Sequence, residues 1–437
     1  MIRSKLAELI VWKTSATRKP LIIRGARQVG KTWLMKEFGR TQYTQTVYIN
    51  FEKDKRLHSL FTDDFNTDRV ILALQAETGI TIDSENTLLI FDEIQAVPGA
   101  ITALKYFQED AGHYHIIAAG SLLGVALHEH IAFPVGKVEF MDLYPLSFTE
   151  FLEALGDQAF ADMLKGGDWK LITAYKSKFT ERLKQYYFVG GMPEAVLRFS
   201  ESWNYNEVRE IQQQILDAFE NDFSKHAPAE IVPRIRMVWN SIPSQLSKEN
   251  RKFFYGLVRE GSRAKDYELA LAWLTDCGLA NKVFRVTKPA LPLKAYEDLS
   301  AFKLFMVDVG LLSAITDLDP RTLLTGNELF SEFKGALTEQ FVHQQLKMLN
   351  DLAVYYWSAE RSAAEVDFVI QHNGRIIPLE VKAEENLKAK SLKVLMEKFN
   401  PGKAVRISLS DYREQDWLIN LPLYAINEVK RCIPPEP

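Results

Sequence analysis

Hydrophobic residues along the chain follow two different periods. Leu21-Ile22-Ile23, Thr87-Leu88-Leu89-Ile90-Phe91 and Tyr114-His115-Ile116-Ile117-Ala118-Ala119 are short, nearly unbroken apolar runs. Such runs read as strands of a parallel sheet buried on both faces. Trp33 to Phe38 reads as a helix that Gly39 is expected to end. From residue 150 to 240 the spacing turns helical. Phe179, Leu183, Tyr186 and Tyr187 mark one helix over 176–189, which Gly190-Gly191 stops, and Val208, Ile211, Ile215, Leu216 and Phe219 mark another over 207–223. The turn Gly190-Gly191-Met192-Pro193-Glu194 reads equally as a helix break with a new start at Pro193 or as a hinge. Between 245 and 315, two short helical patterns at Phe253–Leu257 and Leu269–Leu274 precede an alternating stretch, 278–286, and a strand-then-helix stretch, 302–312. That order predicts a winged helix, with Arg259, Arg263, Lys265 and Lys282 either lining DNA phosphates or forming a solvated face.

The clearest chemistry follows the first strand. Gly25-Ala26-Arg27-Gln28-Val29-Gly30-Lys31-Thr32 fits G-x-x-x-x-G-K-[ST] in the strand–loop–helix setting that motif requires. Glycines let backbone N–H groups converge on phosphates, Lys31 reaches the β- and γ-phosphates, and the Thr32 hydroxyl faces Mg²⁺. The second strand ends in Asp92-Glu93. A carboxylate at the C-terminal tip of a central strand lies beside the phosphate loop in doubly wound folds. Asp92 is therefore expected to hold Mg²⁺ and Glu93 to polarise the attacking water. Ser121, after the third strand, stands where a γ-phosphate sensor belongs, or simply ends the strand. The nucleotide-binding set is Gly25, Ala26, Arg27, Gln28, Val29, Gly30, Lys31, Thr32, Trp33, Asp92 and Ser121.

These residues resemble the AAA+ ATPases, in particular a bacterial and archaeal branch that fuses an N-terminal ATPase to a C-terminal region with nuclease-like motifs. Leu143-Tyr144-Pro145-Leu146-Ser147-Phe148-Thr149-Glu150-Phe151-Leu152, Gly190-Gly191-Met192-Pro193-Glu194 and the tail extend the likeness. It implies an α/β fold in four parts: a P-loop AAA+ core over 1–155, a helical lid over 156–240, a winged-helix-like part over 241–320 and a PD-(D/E)xK restriction-endonuclease-like domain over 321–437. It also implies ATP and ADP as ligands and Mg²⁺ as cofactor, with DNA as a candidate partner and homo-oligomer formation an open option. Lys137 stands where relatives often carry Arg, which leaves the arginine finger unassigned.

In the tail, Val366–Ile370 and Ile376–Lys382 read as strands around the turn His372-Asn373-Gly374. Glu380 and Lys382 then share one face of their strand, and Asp367 shares a face with Glu365 on the other strand. Upstream, the helix over 335–349 places Glu339 with Val342 and Leu346. Two carboxylates ~4 Å apart repel by about 4 kcal/mol at an effective dielectric near ~20. Asp367 and Glu380 therefore need a counter-charge, expected from Lys382 plus a metal ion. This resembles the PD-(D/E)xK signature, which implies catalytic roles for Glu339, Asp367, Glu380 and Lys382, with Asp367 and Glu380 as metal ligands.

Composition narrows the setting. At 437 residues the chain exceeds one usual core. A net charge of −4 gives no bulk attraction to nucleic acid, so any such contact must use a local patch. Cys277 and Cys432 are the two cysteines, which suits a reducing compartment. With a charged N-terminus and no apolar run near the ~20 residues of a membrane span, the cytoplasm is expected.

Overall fold

The apolar runs of the N-terminal third assemble into a parallel sheet of β1 Leu21–Arg24, β2 Gln45–Asn50, β3 Thr87–Asp92, β4 His115–Ala119 and β5 Glu139–Asp142. This computed structural model describes every residue except 1, 62–64, 121–133, 249–250, 326–330, 350–351, 361–363, 386–388 and 434–437. The strand order is β2-β3-β4-β1-β5, with all four pairings parallel. Helices α1 Lys5–Thr14, α2 Lys31–Gln42, α3 Thr67–Thr78 and α4 Pro98–Asp110 accompany it. Every residue of β3 and β4 is buried, as expected for strands covered on both faces. On one side Phe51, Phe61, Phe91 and Phe107 meet through edge-on ring contacts 5.3–6.4 Å between centroids.

Helix α2 does not stop at Gly39 but runs to Gln42. The glycine serves packing instead: a Cβ there would stand 2.5 Å from the Thr46 hydroxyl of β2. A bare backbone lets the helix lie close against the strand.

The chain divides into two compact units: Arg3–Tyr144 with Asp276–Leu279, and Pro145–Thr275 with Ala280–Pro437 and the first two residues. Within the second unit the expected helices are present, as α5 Lys176–Val189 and α6 Tyr205–His226. The sheet of this unit continues across residue 320, where a further domain was expected to begin. Strands β6 Ala280–Val286 and β7 Glu297–Met306, read from sequence as part of a separate winged helix, join one mixed sheet with the tail strands. Those are β8 Ala353–Ser358, β9 Glu365–His372, β10 Arg375–Val381, β11 Ala404–Ser408, β12 Arg413–Glu414 and β13 Leu418–Pro422. The order is β12-β13-β11-β10-β9-β8-β6-β7. The join is parallel pairing of Arg285 with Tyr356 and Val286 with Trp357. A ribbon edge that would otherwise expose backbone donors and acceptors is satisfied by β8.

The β9–β10 turn is as expected from Asn373-Gly374: both take positive φ, 48° and 71°. The Gly190-Gly191 turn has a role that neither sequence reading named. Asp308 caps helix α7 Val309–Ile315 and accepts from the Gly191 backbone N–H at 2.7 Å and from Gln344 at 2.8 Å. Gly190 sits at φ 74°, ψ −163°, a region nearly closed to other residues. A Cβ there would meet the Asp308 carboxylate at 2.0 Å. Gly190→Ala should therefore cost about 3 kcal/mol or more, read as a lowered urea midpoint.

Candidate active site

Backbone geometry shapes the phosphate loop. Gly25, Gln28 and Gly30 have φ of 146°, 64° and 92°, so the chain coils back on itself before α2 begins at Lys31. Gly25 also admits no side chain, because a Cβ would lie 2.1 Å from the Leu143 carbonyl oxygen. Val29 is fully buried and anchors the loop, whereas Trp33 is 40% exposed on α2. The Lys31 ammonium donates to the carbonyls of Gly25 at 2.8 Å and Ala26 at 2.7 Å. Burial depresses its pKa to about 8, with Glu93 and Asp92 opposing the shift. Phosphate charge favours the ammonium, so nucleotide should raise this pKa. Binding between pH 8 and 10.5 should accordingly take up a proton, and affinity should fall as pH rises above 8. Calorimetry in buffers of different ionisation heat reads this directly.

Strand order brings the acids to the loop. β1 and β3 flank β4, and their C-terminal ends share one edge of the sheet. The Thr32 hydroxyl donates to Asp92 Oδ2 at 2.7 Å, and the Tyr48 hydroxyl donates to the same oxygen at 2.8 Å. A hydroxyl and a carboxylate meeting beside a phosphate loop fit Mg²⁺, a hard cation that keeps several waters and takes few protein ligands. Glu93 stands in the left-handed region at φ 52°, ψ 43°. For a non-glycine residue this is strained by about 1–3 kcal/mol, a cost found most often at functional sites. Its carboxylate accepts from Gln95 Nε2 at 2.7 Å.

Tyr48 and Gln95 escaped the sequence reading. Tyr48 lies on β2. The available signal was register: β2 runs parallel beside β3, with Asn50 opposite Asp92. Ser121 lies outside the described residues. Lys137 is ion-paired with Glu109 at 2.9 Å.

The tail residues also converge. Helix α8 Ser331–Met348 carries Glu339, β9 carries Asp367 and β10 carries Glu380, all buried. The Val381 backbone N–H donates to Asp367 Oδ2 at 2.7 Å, and Lys382 pairs with Glu380 at 2.6 Å. Two further cations complete the cluster. Arg251 is ion-paired with Glu339, and the fully buried Lys303 of β7 lies 2.6 Å from Glu365 and 3.5 Å from Glu339. Burial alone would raise the Glu339 pKa, but Arg251 and Lys303 hold it down to about 2. Burial, then Glu339 and Glu380, push Asp367 well above the usual carboxylate range. Three cations, Arg251, Lys303 and Lys382, stand against four carboxylates, Glu339, Glu365, Asp367 and Glu380. Part of the counter-charge expected from a metal is thus supplied by protein. Among the described residues, no group of three or more His, Cys, Asp or Glu side chains is placed to hold a metal ion. The signal for Lys303 was present in Ala301-Phe302-Lys303-Leu304-Phe305, where one charge interrupts a buried apolar run.

Comparison with known proteins fits this geometry. A family model described as an AAA domain matches residues 17–152. Two models described as domains of unknown function, DUF8612 and DUF4143, match residues 180–322 and 334–425. No curated protein matches the chain. Among solved structures, a Walker-type ATPase of Pyrococcus abyssi aligns over 72% of this chain and 95% of its own, at 13% identity and TM-score 0.45. The ORC1 protein of Aeropyrum pernix, solved in complex with DNA, aligns over 73% and 93%, at 11% identity and TM-score 0.28. Scores this low establish no common fold. Among the described residues, no helix is long and apolar enough to cross a membrane. The family match and the Lys31–Thr32–Asp92–Glu93 geometry agree, and the N-terminal unit is an AAA-type P-loop ATPase domain.

Proposed function

We propose that this chain is an ATP-driven switch. ATP and Mg²⁺ are bound and hydrolysed at the phosphate loop, and the nucleotide state governs how the C-terminal unit engages a partner, DNA foremost, in the cytoplasm. The observation carrying the ATPase half is the 2.7 Å bond between Thr32 and Asp92 beside the buried Lys31 ammonium. In this reading Lys31 gives up the Gly25 and Ala26 carbonyls for the β- and γ-phosphates. Thr32 and Asp92 would hold Mg²⁺, which supplies neutralisation of phosphate charge. Glu93 accepts the proton of the attacking water, and Gln95 orients its carboxylate.

The sequence left two roles for the tail, a gated nuclease or a non-cleaving binding module. The Arg251 and Lys303 ion pairs favour the second, since they give Glu339 and Glu365 counter-charges from the protein itself. Purified protein incubated with Mg²⁺ or Mn²⁺ and assorted DNA and RNA, with and without ATP, tests both halves. Phosphate release without strand cleavage is expected. Divalent ions should leave the melting temperature of Lys31→Ala unchanged, where a tail metal site would raise it through a stability gain of RT ln(1 + [L]/Kd), about 2.7 kcal/mol at a hundredfold excess. Cleavage that Asp367→Ala abolishes would restore the nuclease reading. Absence of phosphate release would sink the ATPase half.

A further inference from the structure

A cavity of about 670 Å³ opens on the C-terminal sheet beside β11 and β13. Lys390 and Lys393, from helix α9 Lys390–Phe399, line it with Arg406, Tyr412, Arg413 and Trp417. Strand register places part of this wall in a single row. Glu380 of β10 stands opposite Arg406 of β11, Arg406 opposite Asn420 of β13, and Asn420 opposite Arg413 of β12. Directly opposed residues share a face of the sheet, so the row runs from the edge of the carboxylate cluster into the cavity.

The wall is preorganised. Arg406, only 5% exposed, donates through Nε to Asn420 Oδ1 at 3.0 Å. Asn420 in turn donates to the carbonyls of Ser410 at 2.9 Å and Asp411 at 2.8 Å, fixing the loop over the row. Tyr412 is clamped by Trp169, the rings parallel within 4° and 4.2 Å apart. Four cations line the cavity against one carboxylate, Asp411, which already lies 3.4 Å from Lys176. Lys393 has Glu397 at 3.7 Å, on its own helix. Burial lowers the Arg406 pKa, and Arg413 adds to the effect. Cations crowded this closely in a chain of net charge −4 call for an anion. A phosphate alone is small for this volume, which lies within the range of pockets that enclose an organic ligand. Trp417 offers an aromatic face of the kind on which nucleobases stack.

We propose that this cavity binds a nucleoside phosphate, free or within a nucleic-acid strand, its phosphate on Arg406, Arg413, Lys390 and Lys393 and its base on Trp417. The site is separate from the phosphate loop and needs neither ATP turnover nor strand cleavage.

Full-length Lys31→Ala, which silences the phosphate loop, gives the background for the test. Binding of a short, fluorescently labelled single-stranded oligonucleotide is followed by anisotropy, with thymidine monophosphate as competitor. The Lys393→Glu/Arg413→Glu pair should weaken binding about tenfold or more and flatten its salt dependence. Trp417→Leu should weaken it and Trp417→Phe should restore it. Should Trp417→Leu fail to fold, Arg413→Glu alone, at an exposed position, still decides. Competition by the monophosphate identifies a free nucleotide as ligand, and binding of the oligonucleotide alone identifies a strand. No binding of either probe, or charge reversal without effect on either, overturns the proposal. In protein that keeps Lys31, Arg413→Glu should leave ATP turnover unchanged, so a failure of the ATPase reading is seen separately.

Discussion

Lys31→Ala should abolish measurable nucleotide binding, and Glu93→Gln should keep binding while turnover falls roughly 10²–10⁴-fold. The two losses differ because the two side chains act at different stages. Lys31 offers the β- and γ-phosphates a buried ammonium already held at the mouth of the loop by two carbonyls. Without it the phosphate charge keeps only backbone donors and the start of α2. Glutamine at 93 preserves size and the strained left-handed backbone, but an amide cannot take the proton of the attacking water. Calorimetry separates the outcomes: normal ATP affinity in Lys31→Ala would refute the phosphate-loop assignment, and wild-type phosphate release in Glu93→Gln would remove Glu93 from its role.

Lys303→Met should destabilise the C-terminal unit by about 3–5 kcal/mol, the usual cost of removing one partner from a buried ion pair. Methionine fills nearly the same volume, so the loss measures charge rather than a cavity. It leaves Glu365 without its 2.6 Å partner and Glu339 with Arg251 alone. Adding Glu365→Met should recover part of the loss, because a carboxylate no longer needs a counter-charge in the interior. Urea unfolding of both variants supplies the comparison. A change below about 1 kcal/mol for Lys303→Met would mean that the cluster is solvated and not held by its cations.

Local chemistry was the legible part of this protein. The phosphate loop, the acid pair after β3 and the Asn373-Gly374 hairpin are short-range signals, each confined to a few consecutive residues. They were readable because glycine geometry and strand ends act locally. Long-range pairings were not readable. Nothing in β6 announces that Val286 will lie beside Trp357, so the ribbon was read without its neighbour in the sheet. The tail carboxylates were found by spacing, yet Arg251 and Lys303, which decide the charge of the cluster, come from segments far upstream. Gly39 was misread for the same reason: its role is set by Thr46 on a neighbouring strand. Tyr48 and Gln95 belong to a third kind, polar residues that touch the acids only after the strands align.

The β6–β8 pairing also bears on how the chain is made. During synthesis β6 and β7 leave the ribosome well before their partner, and the ribbon must wait while α8 and β8 are added. The parallel joins of β10 to β11 and β11 to β13 come later still. Contacts so distant in sequence are slow to form, because loop closure must precede any reward. The N-terminal sheet, with its strands all within the first third, has no such delay apart from the short Asp276–Leu279 segment. The ATPase unit should therefore gain its structure on the ribosome, and the C-terminal sheet only near release, with its half-built edge exposed to other chains in between.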